Sequence, residues 1–194
     1  MIKNSCFYID KLKSVVILGY SEVFEKIESI NARNKLDTLL ISSPDQVNNV
    51  KSKNLIISKK FDSNLKKKIS KLVDLNNTLF VSLGARWIFK KKDIQTFFKK
   101  NIINFHCTRL PFDKGGANIS WKIINGDRID NQLAHVINDK IDEGEILINL
   151  KSLIPHNCKI PSDFINYQNL QFIKLYTKLI LNLKNNKSFP LYKQ

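Results

Sequence analysis

The alternation of short apolar runs with amphipathic stretches is the feature that most restricts the fold of this chain. Val15–Leu18 is apolar throughout and ends at Gly19, which is typical of a strand buried on both faces of a parallel sheet. Four further strands are predicted at Leu36–Ile41, Leu55–Ile57, Thr78–Leu83 and Ile102–His106. Strands that alternate with helices predict an α/β fold with a Rossmann-like, mostly parallel twisted sheet and helices on both faces. Ligands in such folds bind beyond the carboxyl ends of the strands.

Apolar residues at helical spacing predict four of the connecting and flanking helices. The first is expected to begin at Ser21, the third to cover residues 116–125, and the fourth to be capped by Ser162 or Asp163. The opposite face of the second helix is rich in lysine. The residues expected on the apolar faces are Val23, Phe24, Ile27 and Ile30 in the first; Leu65, Ile69, Leu72 and Val73 in the second; Ile119, Ile123 and Ile124 in the third; and Phe172, Ile173, Tyr176, Leu179, Ile180 and Leu183 in the fourth.

Period-two patterns replace the α/β alternation in the later part of the chain. Leu133–Ile137 and Ile146–Leu150 each alternate apolar with polar residues, and a glycine-containing turn lies between them. These segments are therefore predicted to form a C-terminal antiparallel hairpin, with Asp142 in its turn.

Size, charge and cysteine content limit the classes of protein that this chain can belong to. Its 194 residues suffice for one domain with a sizeable core, and no apolar run approaches the length of a membrane span. The N-terminus lacks a signal-peptide pattern, so a cytoplasmic protein is expected. Three separated cysteines without a Cys-x-x-Cys pair argue against a disulfide framework or a structural zinc site. The charge of +15 is compatible with an anionic partner, but the lysines are spread along the chain, which favours solvated helix faces.

One set of polar residues indicates chemistry. Asn104 and His106 lie two residues apart at the end of a predicted strand, so their side chains point to the same side of the sheet. Together with the carboxylate of Asp142 they can stabilise an oxyanion and move a proton. In acyl transfer from an amide-like donor to an amine, the amide and imidazole N–H groups donate to the oxyanion. A carboxylate holds the imidazole charged and accepts the proton of the amine, so no serine or cysteine nucleophile is needed.

Spacing alone leaves other interpretations of these residues open. Asn104 and His106 can also serve only to satisfy the backbone groups of a loop. His135 is expected to be a packed histidine and His156 a surface residue. A zinc site built from the three histidines is conceivable, but the close ligand spacing of known zinc sites is missing. Cys107 is expected to face away from His106, because neighbouring strand residues point to opposite sides.

These residues resemble the motifs of the 10-formyltetrahydrofolate-dependent formyltransferases. That family carries Asn-x-His-x-Ser-x-Leu-Pro, a basic residue with Gly, a helix with Trp, a strand with His, and the turn Asp-x-Gly-x-Ile. The matching segments, in the same order and spacing, are Asn104–Pro111, Lys114-Gly115-Gly116, Ser120-Trp121, His135 and Asp142–Ile146. The resemblance is strong over residues 79–150 and faint before them.

The resemblance implies a role for each matching residue. Asn104 and His106 would hold the formyl oxygen of the donor, N10-formyltetrahydrofolate, and Asp142 would set the charge state of His106 and manage the proton of the amine. One wall of the pterin pocket would be the backbone of residues 85–88, and the turn at 138–142 would be the other wall. The residues implied to bind the donor are Ala85, Arg86, Trp87, Ile88, Leu110, Pro111, Asn138, Asp139, Lys140 and Ile141. No metal ion is implied.

Departures from the family pattern bear on the acceptor. Thr108 stands where Ser is commoner and keeps a hydroxyl, and Lys114 replaces the usual Arg, so a bidentate contact becomes a point charge. The loop at residues 19–21 lacks the Gly-x-Gly phosphate cradle of the purine-pathway enzymes, which weakens glycinamide ribonucleotide as substrate. The β-barrel domain of the initiator-tRNA enzymes has no counterpart, which weakens tRNA. Residues 1–194 are expected to be a single formyltransferase catalytic domain, with the C-terminal extension absent or truncated.

The sequence therefore predicts an N-formyltransferase that acts on a primary amine, preferably that of a nucleotide-linked amino sugar. The alternatives within the family are a methionyl-tRNA or glycinamide-ribonucleotide type of formyltransferase and a formyltetrahydrofolate hydrolase. Outside it, the alternatives are a non-catalytic folate or nucleotide binder and a nucleic-acid-binding module that depends on charge. No membrane partner is expected, a nucleic-acid partner is not favoured, and an oligomer is left open.

Overall fold

The computed structural model describes residues 5–20, 22–47, 52–112, 114 and 118–194. The strands are β1 (Cys6–Phe7), β2 (Ser14–Gly19), β3 (Asp37–Ser42), β4 (Leu55–Ile57), β5 (Thr78–Leu83), β6 (Ile102–His106), β7 (Ile129–Val136), β8 (Ile146–Leu153) and β9 (Phe189–Pro190). The helices are α1 (Phe24–Arg33), α2 (Ser63–Leu72), α3 (Lys91–Thr96), α4 (Asn118–Ile124) and α5 (Pro161–Lys184). Short 3-10 turns lie at Pro44–Gln46 and Leu75–Asn77.

Seven strands form one sheet in the order β4-β3-β2-β5-β6-β7-β8. The strands from β4 to β6 in this order are parallel, whereas β7 is antiparallel to both of its neighbours. The predicted α/β fold, with a mostly parallel sheet and a C-terminal antiparallel hairpin, is confirmed. The order of the strands reverses between β2 and β5, which is where a ligand crevice forms beyond the carboxyl ends of the strands.

Alternate residues of the parallel strands enter two different cores. Val15 and Ile17 of β2 face α1 and α5, whereas Val16 and Leu18 face α2 and α3. All four side chains are fully buried, which explains why this segment is apolar throughout. The second core also holds a cluster of aromatic rings in edge-to-face and stacked contact, formed by Phe61, Phe80, Phe89, Phe97 and Phe98.

Two of the helices bury a narrower face than the sequence predicts. Leu65 and Ile69 of α2 are buried as expected, but Leu72 is exposed and Val73 lies beyond the end of the helix. In α4, Ile124 is also exposed. Leu72 and Ile124 are the last residues of their helices. Ser21 and the predicted helix start at residues 116–117 lie outside the described residues.

Helix α5 packs along the first core with the face that the sequence predicts. Its buried residues include five of the six expected ones, and the sixth, Ile173, is partly buried against the same core. The predicted cap is wrong, because the N-cap residue is Ile160. Asp163 instead accepts hydrogen bonds from the backbone N–H groups of Lys159 and Ile160, at 2.8 and 3.2 Å. None of the helices in the described part of the chain combines the length and apolar character that crossing a bilayer requires.

A second, two-stranded sheet joins the two ends of the described chain. Strands β1 and β9 pair antiparallel, with Phe7 opposite Phe189, and both phenylalanines are buried. Farther along, Tyr192 forms an isolated bridge with Ile146 at the start of β8. The sequence did not predict these strands, because two residues are too few to show a period.

Candidate active site

Two neighbouring strands fix the positions of Asn104 and His106. Asn104 is in register with Ser82 of β5 on one side and with His135 of β7 on the other, and His106 is the last residue of β6. Both side chains line the same cavity, as the period-two argument predicted. Cys107 lines a different, smaller cavity, so the expectation that it faces away from His106 is also met.

The loop between β7 and β8 carries Asp142 to the end of β6. Its Oδ2 atom lies 3.4 Å from Nε2 of His106, and its Oδ1 atom lies 3.7 Å from Nε2 of His135. Asp142 has a φ of +53°, a left-handed conformation that Asp and Asn adopt more readily than most residues. Gly144 lets the loop close against β7, because a Cβ there would lie only 1.7 Å from the carbonyl oxygen of Val136. The loop therefore holds the carboxylate between two imidazoles.

His135 connects the amide of Asn104 to the carboxylate of Asp142. Its Nδ1 atom lies 2.9 Å from the carbonyl oxygen of Val136. A carbonyl only accepts, so Nδ1 carries the hydrogen and, in the neutral ring, Nε2 accepts. The side-chain nitrogen of Asn104 lies 3.2 Å from Nε2 and donates one of its two hydrogens there. The second hydrogen of this amide can be donated to a ligand in the cavity.

His135 is packed, as the sequence predicted, but its polar contacts were missed. Only 2% of the residue is exposed. The signal that could have revealed the contacts is the hairpin itself, because pairing β7 against β6 places His135 directly opposite Asn104. The register of that pair cannot be read from periodicity alone.

The two histidines determine the ionisation of Asp142. The imidazole of His106, and then that of His135, holds the pKa of Asp142 well below its ordinary value, although burial acts in the opposite direction. The carboxylate is therefore ionised throughout the neutral range. So acidic a group is a weak base, and its first effect on the site is that of a fixed negative charge beside two imidazoles.

A cavity of about 280 Å³ opens beside these residues. Its described lining consists of Ser82, Gly84, Ala85, Trp87, Ile88, Phe89, Asn104, Phe105, His106, His135 and residues 137–142. The segment after β5 and the loop after β7 thus both line the cavity, and these are the segments that the resemblance implies as walls of the pterin pocket. Ile88 and Ile141 belong to these walls and are 81% and 71% exposed, so a ligand in the cavity could cover two apolar side chains.

Three residues that the resemblance assigns to donor binding are not part of the described cavity lining. The Nε atom of Arg86 lies 3.1 Å from the carboxylate of Asp45 instead. Leu110 and Pro111 are joined by a cis peptide bond and are likewise not among the residues that line the cavity. A role of these three residues in donor binding stays a prediction.

The arrangement can stabilise an oxyanion and hold charge, but it does not form a metal centre. Among the described residues, no group of three or more His, Cys, Asp or Glu side chains is placed to hold a metal ion. The described residues do not bring the three histidines of the conceived zinc site together. His106 and His135 both face Asp142, whereas His156 is exposed in the loop before α5.

Comparison with curated proteins relates the chain to formyltransferases. No protein-family model matches it. The methionyl-tRNA formyltransferase of Thermodesulfovibrio yellowstonii is 33% identical over 87 residues, which are 45% of this chain and 27% of that protein. The methionyl-tRNA formyltransferase of Buchnera aphidicola subsp. Acyrthosiphon pisum is 30% identical over 115 residues, 59% of this chain and 34% of that protein. The matched stretches thus span only about a quarter to a third of these relatives.

Solved formyltransferases share the fold over almost the whole chain. One is an N-formyltransferase from Helicobacter canadensis in complex with folinic acid and dTDP-3-aminofucose, with a TM-score of 0.72 at 19% identity. The match covers 94% of this chain and 67% of the Helicobacter chain. Another is glycinamide ribonucleotide transformylase 1 from Symbiobacterium toebii, with a TM-score of 0.70 at 13% identity. That match covers 98% of this chain and 100% of the Symbiobacterium chain. The chain is thus similar in sequence to methionyl-tRNA formyltransferases over part of its length, and it has the fold of solved formyltransferases. At these identities the solved structures show the fold alone.

The structure shows the contacts of two residues that depart from the family pattern. The Nζ atom of Lys114 lies 3.1 Å from Oε1 of Glu143, so this point charge contacts the loop that carries Asp142. Thr108 is fully buried, and its carbonyl accepts a hydrogen bond of 2.8 Å from the side chain of Asn131. The glycines at positions 115 and 116 lie outside the described residues.

Proposed function

We propose that this protein transfers the formyl group of N10-formyltetrahydrofolate to a primary amine. The observation that carries the proposal is the convergence of Asn104, His106 and Asp142 beside one cavity, in a chain that is similar to formyltransferases. Such a set supplies hydrogen-bond donors for an oxyanion together with a fixed negative charge.

The formyl oxygen would lie between the side-chain amide of Asn104 and the imidazole of His106. The amine nitrogen attacks the formyl carbon, and both N–H groups donate to the tetrahedral oxyanion that forms. Loss of one such donor typically raises the barrier by about 2.7–4 kcal/mol. The bond between the formyl carbon and N10 then breaks, N10 takes up a proton, and tetrahydrofolate leaves.

Asp142 would orient the ring of His106 and balance positive charge in the site. Because its pKa lies well below the ordinary value, direct and lasting protonation of Asp142 is unfavourable. The proton of the attacking amine would therefore pass through water that is held by the carboxylate. The carboxylate thus acts through its charge and position in this proposal.

The pterin of the donor would enter the cavity between the segment after β5 and the loop after β7. A flat heterocycle with N–H and C=O groups along its edge can bond to the backbone groups of residues 84–88, which form neither a helix nor a strand. Ile88 and Ile141 would be covered by the bound donor, which offsets their exposure in the free protein.

As acceptor we propose the amine of a nucleotide-linked amino sugar. The enzyme from Helicobacter canadensis, which is in complex with dTDP-3-aminofucose, supports this because it shares the fold over 94% of the chain. The loop after β2 also lacks the Gly-x-Gly phosphate cradle of the purine-pathway enzymes. A second candidate acceptor is methionyl-tRNA, because the curated relatives are methionyl-tRNA formyltransferases. The net charge of +15 suits either anionic acceptor.

The experiment that tests the proposal is a donor-dependent formylation assay with a panel of acceptors. The purified protein is incubated with N10-formyltetrahydrofolate and either dTDP-linked 3-amino and 4-amino sugars, glycinamide ribonucleotide or methionyl-tRNA, and N-formyl products are detected by mass spectrometry. Product on an amino sugar supports the proposed acceptor, and product only on tRNA establishes the second candidate.

Two further outcomes of the same assay contradict formyl transfer. Consumption of the donor at the same rate with and without any amine identifies a hydrolase. Donor binding without turnover on any acceptor, unchanged by Asn104→Ala, identifies a non-catalytic folate binder.

A further inference from the structure

A short turn after β3 supports one wall of the cavity. Gln46 lies in this turn and is only 6% exposed. Its Nε2 atom donates a hydrogen bond of 2.8 Å to the carbonyl oxygen of Gly84, and its Oε1 atom accepts one of 2.9 Å from the hydroxyl of Ser43. The carbonyl of Gly84 can only accept, so the orientation of the Gln46 amide is determined by chemistry. Gly84 is the residue at which the wall begins.

The wall depends on contacts of this kind because it has no regular structure of its own. Residues 84–88 follow the end of β5 without forming a helix or a strand. Gly84 has a φ of +61°, and a Cβ there would meet nothing within 4 Å, so glycine is needed for the backbone conformation and not for space. A loop without ladder hydrogen bonds keeps its shape only where its backbone groups are held from outside.

A second residue of the same turn also contacts the wall, but its contact is exposed whereas that of Gln46 is buried. Asp45, the neighbour of Gln46, faces Arg86 of the wall at 3.1 Å, but the side chains of the pair are 57% and 66% exposed. Exposed ion pairs of this kind are screened by solvent and contribute little. A buried hydrogen bond to a carbonyl contributes more, because breaking it leaves a polar group unsatisfied. Gln46 and Asp45 therefore both contact the wall, but loss of the Gln46 contact is expected to disturb the wall more than loss of the Asp45 contact.

We propose that Gln46 is a positioning residue for the donor: its buried amide fixes Gly84, and with it the backbone that receives the pterin. Gln46 itself is not among the described residues that line the cavity. The inference rests on the proposed function, in which this wall binds the donor. The catalytic candidates lie on β6 and on the loop after β7, so loss of the Gln46 amide weakens donor binding and leaves the chemical step nearly unchanged.

The test combines calorimetric titration with folinic acid and steady-state kinetics with N10-formyltetrahydrofolate. Gln46→Met keeps the length of the side chain and removes the hydrogen bonds with Gly84 and Ser43. It is expected to raise the Kd for folinic acid and the KM for the donor about five- to tenfold, with kcat within about twofold of the unaltered protein.

Gln46→Glu adds a readout that a merely structural role would not produce. At about pH 7.5 an ionised carboxylate faces the carbonyl of Gly84, and donor binding is weakened at least as much as in Gln46→Met. At about pH 5 a protonated carboxyl can donate to the same carbonyl. Affinity relative to the unaltered protein at the same pH is therefore expected to recover on acidification.

Two matched controls accompany these variants. Asp45→Asn removes the exposed ion pair from the same turn and is expected to change Kd by less than about twofold. Ser14→Ala breaks a buried hydroxyl pair of 2.7 Å with Thr78 at the amino ends of β2 and β5, far from the wall. It is expected to lower Tm without changing Kd.

The outcomes separate this inference from the proposed function. A folded Gln46→Met protein that binds folinic acid as tightly as the unaltered protein overturns the inference, and so does a loss in kcat at unchanged Kd. If Gln46→Met does not fold, the pH dependence of Gln46→Glu decides, and no recovery at low pH overturns the inference. Failure of the unaltered protein to bind folinic acid overturns the proposed function, and the inference with it.

Discussion

Replacement of Asp142 by asparagine removes a negative charge from the site and leaves the shape of the site nearly unchanged. The amide has nearly the same size as the carboxyl, and asparagine tolerates the φ of +53° as well as aspartate does. The substitution removes the negative charge that lies 3.4 Å from Nε2 of His106 and 3.7 Å from Nε2 of His135. The walls that would hold the pterin remain intact.

The expected effect of Asp142→Asn falls on turnover. Groups that assist proton transfer contribute about 10²- to 10⁴-fold, so kcat should fall by that factor, which corresponds to about 3–5 kcal/mol in the barrier. Asp142 is one of many residues along the cavity, so the Kd for folinic acid should change by less than about threefold.

Asp142→Asn is also expected to change how the free energy of unfolding depends on pH. The folded-state pKa of Asp142 is depressed by the neighbouring imidazoles of His106 and then His135, so ionisation favours the folded state. This contribution is fully present above the ordinary value of about 3.9 and is lost as the pH falls through the lower folded-state value. The difference in unfolding free energy between the unaltered protein and Asp142→Asn should therefore persist from about pH 5 to pH 7 and shrink below about pH 4.

Steady-state kinetics, calorimetry and urea denaturation at several pH values measure these three effects. Asp142→Ala is the control for backbone strain, because alanine in the left-handed region should cost roughly 1–2 kcal/mol of additional stability without changing the charge argument. Equal losses in kcat and donor affinity would mean that Asp142 has a structural role. A stability difference that stays constant down to about pH 3 would refute the ionisation argument.

Three further predictions concern single residues around the site. Asn104→Ala should lower kcat about 10²- to 10³-fold through loss of an oxyanion donor, and kinetics that show a change in KM alone would contradict this. Gly144→Ala would place a Cβ 1.7 Å from the carbonyl oxygen of Val136, so it should destabilise the protein by more than about 3 kcal/mol in urea denaturation; a neutral effect would mean that the loop closes differently. Burial raises the pKa of the Cys107 thiol to about 11, so at neutral pH iodoacetamide should modify the exposed Cys6 well before Cys107; the reverse order in a mass-spectrometric time course would contradict the burial.

Three strands of the sheet could be predicted to the residue from the sequence, whereas β7, which carries His135, begins at Ile129 and not at the predicted Leu133. β4, β5 and β6 have the predicted bounds, because each is an apolar run between polar segments that a sheet with two covered faces requires. Helix α3 has six residues, and β1 and β9 have two each. Elements this short show no usable period, and the pairing of β1 with β9 joins distant parts of the chain. Such elements follow from tertiary packing.

The candidate site could likewise be predicted only in part from the sequence. Period two was enough to place Asn104 and His106 on one side of the sheet. The approach of Asp142 depends on how a loop closes, so the sequence pattern could place it in the hairpin turn but not within reach of His106. The contacts of His135 and Gln46 depend on strand register and on a turn from another part of the sheet, neither of which leaves a local pattern in the sequence.

Transfer of an isotopically labelled formyl group in a single turnover tests the central claim most directly. The protein, in excess over N10-formyltetrahydrofolate labelled with ¹³C in the formyl group, is mixed with the amine that the acceptor panel identifies, and the label is followed by NMR. The account predicts that the label moves into the amide of the product with the unaltered protein, and far more slowly with Asp142→Asn. Label that appears as free formate, or that moves equally fast with both proteins, would contradict it.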